Sequence, residues 1–316
     1  MKPVTVITGG AGGMGFAAAN IFGHQGHTLL LCDVKEEALQ SAAASLKRQN
    51  MDVHYLVTDV SDRAQVLAAA QKAAELGAVK NVIHTAGLSP VLVEKLGAEE
   101  GRRTIVKVNA LGAVYMTDAF YPVLEEGGSM VLFTSSAAYL MPAVPESMQQ
   151  IFFSVKDEPE QLFDRLLTIA PDPGRAYMFS KLFVMFYVRM NAGRFGHKGC
   201  RINSIAPGRI VTPMHQTLID REPERIAGEM ATMPLGRYGA AYEIANLIDF
   251  LCSYRASYIN GVDILMDDGT QAFTSVQQLP DGKEHIWIYW IYSACAAKTC
   301  WSRAPALAWE RLQRGF

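Results

Sequence analysis

Short apolar strand patterns alternate with longer helical patterns through most of the chain, and this alternation constrains the fold more than any other feature of the sequence. The predicted strands are mostly runs of Val, Ile and Leu without a polar residue at every second position. Strands of this kind are buried on both faces, as in a parallel sheet that helices cover on each side. The sequence therefore predicts an α/β fold with a doubly wound parallel sheet of about seven strands.

The predicted elements follow strict strand–helix order up to residue 134 and again after residue 176. Strands are predicted at Val4–Thr8, Thr28–Cys32, Val53–Val57, Asn81–Thr85, Met130–Thr134, Cys200–Ile205 and Val262–Met266. Helices are predicted at Met14–Gly26, Lys35–Gln49, Asp62–Glu75, Arg102–Tyr121, Tyr177–Asn191 and Ala240–Leu251. We expect one domain over residues 1–272, interrupted by a proline-rich helical insertion at 137–175 and followed by a C-terminal extension at 273–316.

Composition and charge exclude several classes of protein. Half of the 316 residues are hydrophobic and 19% are charged, which is typical of a chain with a large core. Lys and Arg number 29 and Asp and Glu number 31, so no surface for nucleic acid is predicted. The five cysteines lack the spacing of a zinc site or a disulfide framework, and no metal site is predicted. No signal peptide precedes Val4 and no apolar run is long enough to span a bilayer, so we expect a cytoplasmic protein.

A glycine-rich turn joins the first predicted strand to the first predicted helix. Glycines allow positive φ and let a pyrophosphate approach the backbone more closely than a Cβ would permit. The free N–H groups and the positive dipole end of the following helix then face that anion. Two registers fit the turn, Gly10-x-Gly12-x-x-Gly15 and Thr8-Gly9-x-x-x-Gly13-x-Gly15. Either register predicts a dinucleotide site.

Asp33 ends the second predicted strand, 18 residues after Gly15. A carboxylate at this place binds the ribose diol of an adenosine and repels a 2′-phosphate. Positions 12 and 34 are Gly and Val, so no arginine is offered to such a phosphate. The predicted cofactor is NAD, and the alternative is that Asp33 only caps the next helix.

Tyr177 and Lys181 lie four residues apart in a predicted helix, which places a phenol and an ammonium on one face. A phenol with a pKa of about 10 is a poor base at neutral pH, and a nearby ammonium lowers that pKa. Such a phenol exchanges a proton with an alcohol or ketone while a hydride moves to or from a nicotinamide. Ser136, at the end of the fifth predicted strand, and Asn109, in the helix before it, complete the predicted catalytic set. Without the other motifs, Tyr177 and Lys181 are equally interpreted as two neighbouring residues on a helix surface. Ser136 by itself is interpreted as a residue that forms a turn.

Together these residues resemble the short-chain dehydrogenase/reductase family, whose motifs follow in family order over residues 3–272. The matching residues are Thr8-Gly9, Gly13, Gly15, Asp33, Asp59, Ala86-Gly87, Asn109, Ser136, Tyr177, Lys181, Pro207-Gly208, Thr212, Pro234–Arg237, Ile259–Gly261 and Asp268-Gly269. The resemblance implies a Rossmann-type fold and an NAD-dependent alcohol dehydrogenase or ketone reductase.

The resemblance also implies the role of each site residue. It makes Tyr177 the general acid and base, and Ser136 the group that positions the substrate carbonyl. It implies that Lys181 tunes Tyr177 and holds the nicotinamide ribose, and that Asn109 supports a proton-relay water. The implied cofactor-binding residues are Gly9, Gly13, Met14, Gly15, Asp33, Asp59, Val60, Ala86, Gly87, Tyr177, Lys181, Pro207, Gly208, Ile210 and Thr212. Without the family, Asp59 is equally well interpreted as a loop cap.

Two features depart from the family pattern. The usual Asn-x-Ala-Gly motif begins with His84, which we interpret as a packed strand residue rather than a second acid or base. The Asn amide with which the family braces its central strand is therefore missing at this position. Ser136 and Tyr177 are 41 positions apart, and a similar insertion occurs in the subgroup resembling bacterial 3α-hydroxysteroid dehydrogenase/carbonyl reductase. We expect the insertion to border the substrate pocket and to alter the helix packing of a dimer.

The predicted pocket residues are mostly apolar: Leu88, Pro90, Tyr139, Leu140, Met141, Ile210 and Met214. A lipophilic secondary alcohol or its ketone, with hydroxysteroids among the candidates, fits them better than a sugar phosphate. The expected partners are this small molecule and further copies of the chain in a homodimer or homotetramer. Two other functions stay open on the same fold: a non-catalytic dinucleotide-sensing or scaffolding protein, and a lyase or epimerase with retained NAD.

The C-terminal extension holds all the tryptophans, Trp287, Trp290, Trp301 and Trp309, among several basic residues. Contact with a membrane surface is one interpretation of this mixture. A flap over the substrate site, a dimer contact, simple packing on the core and an atypical or poorly ordered end are the others.

Overall fold

The computed structural model describes residues 2–141, 143–156, 158–212 and 222–277. Its strands are β1 (Pro3–Thr8), β2 (Thr28–Asp33), β3 (Val53–Val57), β4 (Ala78–His84), β5 (Leu124–Phe133), β6 (Arg201–Pro207), β7 (Ile210–Val211), β8 (Gly239–Ala240) and β9 (Asp263–Met266). Its helices are α1 (Gly13–His24), α2 (Glu36–Lys47), α3 (Arg63–Leu76), α4 (Gly97–Val106), α5 (Gly112–Phe120), α6 (Glu146–Phe153), α7 (Pro159–Ile169), α8 (Pro173–His197), α9 (Pro223–Ala231), α10 (Ala241–Cys252) and α11 (Thr270–Gln277). Segments of 3₁₀ helix lie at Pro90–Leu96, Ser136–Leu140, Ser154–Lys156 and Tyr254–Ala256, and a π-helical segment at Lys107–Leu111 joins α4 to α5.

Seven of the described strands form one parallel sheet in the order β3-β2-β1-β4-β5-β6-β9, while β7 pairs with β8. The prediction of a doubly wound parallel sheet of about seven strands is confirmed. The direction of winding reverses between β1 and β4, and sheets of this kind bind ligands at the carboxyl ends of the strands beside such a reversal. A ligand site is therefore expected at the residues that follow β1, β4, β5 and β6.

Two apolar cores lie on the two faces of the sheet. Val4 and Val6 of β1 join the core formed with α3, α4, α5 and α8, whereas Ile7 joins the core formed with α1, α2 and α10. Successive side chains of a strand point to opposite faces, so a strand covered on both sides is apolar at every position. This explains the continuous apolar runs in the sequence.

The insertion at 137–175 contributes to the first of these cores. Phe152 of α6 and Leu162 and Leu166 of α7 are fully buried. The Phe152 ring meets the Phe183 ring of α8 with centroids 5.7 Å apart. Arg102 of α4 donates hydrogen bonds to two backbone carbonyls near the end of α7. The insertion is therefore fastened to α4 and α8, the helices that carry much of the predicted site.

Some elements differ from their predicted bounds for identifiable reasons. α8 begins before the predicted Tyr177, because Pro173 suits the first helical position and Asp172 caps the helix by accepting a hydrogen bond from the Arg175 N–H. β5 begins at Leu124 rather than at the predicted Met130. The acidic and glycine residues after Leu124 lie where the register of the β4–β5 pairing shifts, so they form an irregular part of the strand. The sequence pattern does not predict α6, α9, α11 or the π-helical segment, since short apolar repeats carry a weak helical signal.

Residues up to Thr270 form one compact unit and a second begins at Gln271. No helix within the described ranges is long and apolar enough to cross a bilayer. The tryptophans of the C-terminal extension and the predicted pocket residue Met214 lie outside the described residues.

Replacing Phe152 by Ala is expected to lower the free energy of unfolding by about 3–5 kcal/mol, because the change removes a fully buried ring and leaves a cavity. Phe153, the next residue of α6, exposes 42% of its surface and provides the matched control. Phe153→Ala is expected to lower that free energy by about 1 kcal/mol. Urea unfolding of both variants measures the difference. Equal losses would show that α6 is not anchored in the core.

Candidate active site

The glycine-rich turn after β1 has the geometry of the second predicted register. Gly9 and Gly13 have φ values of +66° and +44°, a region that favours glycine. A Cβ added to Gly15 would lie 2.4 Å from the Gly9 carbonyl oxygen. Gly12, by contrast, is extended and has open space around it. The structure thus requires glycine at 9, 13 and 15, and also at 10, where a Cβ would lie 2.9 Å from the Ile7 carbonyl oxygen, so that Gly12 is the one position of the first register with room for a side chain.

The turn and the end of β2 fit a dinucleotide. α1 begins directly after the turn and has no acidic side chain in its first turn, so its N–H groups and dipole suit an anion. Asp33 ends β2, and its carboxylate accepts a hydrogen bond from the Lys35 N–H at 3.3 Å. Lys35, not Asp33, is the N-cap residue of α2. The interpretation of Asp33 as a helix cap is therefore wrong, which leaves its carboxylate for the predicted ribose contact.

Asp59 and Val60 follow β3 and have clear local contacts. The Asp59 carboxylate accepts hydrogen bonds from the Ser61 N–H at 2.8 Å and the Ser61 hydroxyl at 2.7 Å. Val60 is buried, and a Cβ added to Gly112 would lie 3.1 Å from it. The loop-cap interpretation of Asp59 is confirmed, and the adenine contact of both residues stays a prediction.

The chain that follows β6 approaches the glycine-rich turn. A Cβ added to Gly13 would lie 3.3 Å from the Thr212 methyl carbon, which brings together two predicted cofactor residues. A Cβ at Gly208, after Pro207, would lie 2.7 Å from the Asp267 Cα. The Ile210 side chain is buried in the second core. Its place in the predicted pocket and its contact with the cofactor stay predictions.

Gly87, Asn109 and Lys181 meet at the carboxyl end of β4. A Cβ added to Gly87, which follows Ala86, would lie 3.1 Å from Asn109 Oδ1 and 3.2 Å from Lys181 Nζ. Asn109 lies in the π-helical segment, a feature frequent at functional sites. Its amide exchanges two hydrogen bonds with the Leu88 backbone, at 2.8 and 2.9 Å. The fold thus fixes the orientation of this predicted catalytic amide.

The Lys181 side chain is buried beside the end of β5. Its ammonium donates a hydrogen bond to the Phe133 carbonyl at 2.9 Å and lies 5.9 Å from the centre of the Tyr177 ring. Burial lowers the pKa of Lys181 to about 8, and the negative charge of Asp263 opposes this effect. The ammonium is therefore close to losing its proton at mildly alkaline pH.

Tyr177 differs from its sequence prediction in the direction of its pKa. Burial raises the pKa of the phenol, and a hydrogen bond with the Ser135 hydroxyl opposes that rise. We expect a lowered pKa from sequence because Lys181 is one turn away, but the ammonium is bonded to the Phe133 carbonyl. Desolvation of the phenol outweighs the hydrogen bond with Ser135, so the phenol keeps its proton at neutral pH.

Of the two consecutive serines, the structure brings Ser135 rather than Ser136 to the Tyr177 phenol. Ser135 is buried and also accepts a hydrogen bond from the Ala137 N–H at 3.2 Å. Ser136 is half-buried and begins the 3₁₀ segment Ser136–Leu140. The sequence pattern does not select Ser135, because two adjacent hydroxyls are distinguished only by the direction of the backbone.

His84 is buried at the end of β4 and connects it to β1. Its Nδ1 lies 2.8 Å from the Thr8 hydroxyl, and Thr85 donates a hydrogen bond to the Thr8 carbonyl at 2.7 Å. These contacts brace the central strands in place of the family's Asn amide. Burial, with the positive charge of Lys181, lowers the pKa of His84 to about 3. The interpretation of His84 as a packed strand residue is confirmed.

Apolar side chains are exposed on the loops that follow β4 and β5. Val91, Leu92, Leu96 and Leu140 expose between 43% and 67% of their surfaces. The predicted pocket residues Leu88, Pro90, Tyr139 and Met141 are half-buried on the same loops. Within the described ranges no group of three metal-ligating side chains is present. The edge of the sheet thus offers apolar surface next to the polar cluster.

Comparisons with known proteins agree with this geometry. Residues 3–148 match the sequence profile described as short chain dehydrogenase, and residues 166–271 match that described as enoyl-(acyl carrier protein) reductase. The short-chain dehydrogenase/reductase bsc3 of Alternaria brassicicola is 32% identical over 277 residues, which cover 87% of this chain and 98% of that protein. Levodione reductase of Leifsonia aquatica is 31% identical over 280 residues, covering 85% of this chain and 94% of that protein. A crystal structure of levodione reductase aligns with a TM-score of 0.68 at 27% identity, over 86% of this chain and 98% of that one.

The neutral state of His84 predicts a loss of stability in acid. Its pKa is about 3 in the folded protein against 6.5 for an ordinary histidine, so the unfolded chain binds the extra proton as the pH falls below 6.5. Between about pH 7 and about pH 5, the free energy of unfolding is expected to fall by about 2 kcal/mol through this residue. Urea unfolding of wild type and His84→Asn at both pH values measures this difference.

The exposed His197 supplies the control, since His197→Asn is expected to keep the wild-type pH dependence. If His84→Asn lost as much stability as the wild type between the two pH values, the buried imidazole would not be held neutral.

Proposed function

Because the chain belongs to the short-chain dehydrogenase/reductase family, we propose that it interconverts a lipophilic secondary alcohol and its ketone, with NAD as cofactor. The observation that carries this proposal is the polar cluster at the carboxyl edge of the sheet, where Tyr177, Lys181 and Asn109 meet beside the Ser135 hydroxyl. A protein that only binds a dinucleotide has no need of a half-buried phenol next to a buried ammonium.

In this mechanism Tyr177 is the general acid and base. Its raised pKa keeps the phenol protonated at neutral pH, so it is ready to donate a proton to a ketone oxygen. In the reverse direction the phenolate removes the proton from the alcohol, and the Lys181 ammonium stabilises that phenolate. Ser136 holds the substrate oxygen, while Ser135 orients the phenol. The nicotinamide, when bound, supplies or accepts the hydride at the substrate carbon.

The residues around the glycine-rich turn would hold the cofactor. We assign the pyrophosphate to the turn and the N-terminus of α1, and the nicotinamide ribose to Lys181. The adenosine ribose is assigned to Asp33, whose carboxylate favours a free diol over a 2′-phosphate. Gly12 and Val34, which flank this position, bring no positive charge to it. This charge pattern supports NAD rather than NADP.

The substrate is proposed to be lipophilic because the loops next to the cluster expose apolar side chains, among them Val91 and Leu140. Leu140 belongs to the insertion, which we propose to border the pocket. The 41-position separation of Ser136 and Tyr177 supports a place near the subgroup resembling bacterial 3α-hydroxysteroid dehydrogenase/carbonyl reductase. Hydroxysteroids and cyclic ketones are therefore the first substrates to test.

Wild-type protein with NAD and a panel of secondary alcohols, hydroxysteroids included, is expected to form NADH, measured by its absorbance. Tyr177→Phe is expected to lower the rate by about 10²–10⁴-fold, because it removes the proton-exchanging oxygen. NADH binding by the variant, measured by fluorescence titration, is expected to persist. NADP in parallel is expected to support a slower reaction.

The outcomes separate the candidate functions. Nucleotide binding without NADH formation for any alcohol or ketone would favour a sensing or scaffolding protein. Conversion of a substrate without a net change in NADH would favour a lyase or epimerase.

The two serines are expected to contribute differently. Ser136→Ala should lower kcat/KM by about 10²-fold, since it removes a hydrogen bond to the substrate oxygen that strengthens in the transition state. Ser135→Ala should cause a smaller loss of about 10-fold and raise the pKa of Tyr177, because it removes the hydrogen bond that favours the phenolate. Steady-state kinetics of both variants across pH tests this assignment. The reverse order of losses would make Ser135 the substrate-binding serine.

A further inference from the structure

Asp263, the first residue of β9, joins three hydroxyl groups from three other parts of the fold. Its carboxylate accepts hydrogen bonds from the Thr134 hydroxyl at 2.6 Å and from the Tyr139 hydroxyl at 2.8 Å. A third hydrogen bond comes from the Ser204 hydroxyl. Thr134 follows β5, Ser204 lies in β6, and Tyr139 lies in the 3₁₀ segment that begins at Ser136. One carboxylate thus holds the serine-bearing segment against two strands.

The Lys181 ammonium lies next to this network. It donates its hydrogen bond to the carbonyl of Phe133, the residue before Thr134. The titratable groups that act on the ammonium are Tyr177 on its own helix, His84 on β4 and Asp263 on β9. His84 is neutral, and the phenol is protonated at neutral pH. Among the described residues, Asp263 is therefore the negative charge that opposes the loss of the Lys181 proton.

Two further charged residues act on the Tyr139 end of this network. Arg189 on α8 and Asp267 after β9 both act on the Tyr139 phenol, with opposite signs. Burial, followed by the charge of Asp263, raises the pKa of Tyr139. Tyr139 consequently stays protonated and continues to donate its hydrogen bond to Asp263 throughout the range in which Lys181 titrates.

We propose that Asp263 is a positioning residue of this enzyme, whose charge keeps the Lys181 ammonium protonated and whose hydrogen bond to Tyr139 holds the segment that carries Ser136. Asp263 acts through these two residues and does not touch the reacting atoms. This inference rests on the proposed function, since it assigns the carboxylate a part in that proton exchange.

Removing the negative charge of Asp263 lowers the pKa of the Lys181 ammonium. Without Asp263 the ammonium keeps its hydrogen bond to the Phe133 carbonyl but loses the negative charge that opposes desolvation, so the pKa of Lys181 falls further. Lys181 then loses its proton at a lower pH, and the developing phenolate of Tyr177 loses the positive charge one helical turn away. The alkaline fall of activity must therefore move to lower pH.

The experiment measures ketone reduction with NADH by the full chain across pH, after the wild type has been shown to be active and Tyr177→Phe inactive. Wild-type activity is expected to fall as the pH rises through about 8. Asp263→Asn, which keeps the size and an acceptor oxygen, is expected to move this fall about one pH unit lower. Relative to its own activity at about pH 6, the variant would then be about five-fold less active than the wild type at about pH 8.

Three further variants separate charge from geometry. Ser204→Ala removes a hydrogen bond to the same carboxylate but keeps the charge, so its alkaline fall should coincide with that of the wild type. Asp263→Glu also keeps the charge and should restore the wild-type profile. Tyr139→Phe should lower kcat several-fold at every pH without moving the fall, because it frees only the Ser136 segment.

Each result bears on the proposal. Coincident profiles for Asp263→Asn and wild type would overturn the role of the charge, and unchanged kcat in Tyr139→Phe would overturn the role of the hydrogen bond. Asp263→Thr, a residue suited to a strand, neutralises the same position if the Asn variant does not fold. An inactive wild type would refute the proposed function itself, which distinguishes that failure from a failure of this inference.

Discussion

The burial of one ammonium group, that of Lys181, is the constraint on which the arrangement of the site depends. A charge removed from water needs hydrogen-bond and charge partners in the protein. Lys181 has the Phe133 carbonyl at 2.9 Å and the negative charge of Asp263. Both partners depend on the register of the sheet, because Phe133 ends β5 and Asp263 pairs with Ser204 of β6. A slip of one residue would turn the Asp263 side chain to the opposite face.

The burial of the Lys181 ammonium also explains why His84 is neutral and why position 87 is a glycine. His84 lies close enough to feel the ammonium, and both burial and that charge oppose its protonation. The neutral imidazole connects β4 to β1 through its hydrogen bond with the Thr8 hydroxyl. Gly87 is small because a side chain at its position would meet both the Asn109 amide and the Lys181 ammonium. The cluster therefore combines one buried positive charge, the opposing charge of Asp263 and neutral groups that hold the ammonium in place.

Much of this could be predicted from the chain alone. Local patterns suffice for the glycine-rich turn, for Asp33 at the end of a strand, and for the Tyr177–Lys181 spacing, because each depends on residues close in sequence. Ser135 and Asp263 could not be selected in this way. A pair of adjacent serines gives no sign of which hydroxyl faces Tyr177, and the hydrogen bond between Asp263 and Thr134 joins residues 129 positions apart.

The sequence by itself determined the order of the seven sheet strands and of most of the helices between them, the doubly wound sheet and the position of the glycine-rich turn, because hydrophobic periodicity and glycine placement are local properties of the chain. Only the tertiary structure decided the direction of the Tyr177 pKa, the joining of the insertion to α4 and α8, and the link between Asp263 and Lys181. The physical reason is that burial and charge pairing depend on which distant segments exclude water from a group. That exclusion exists only once the sheet has formed and the helices have covered it.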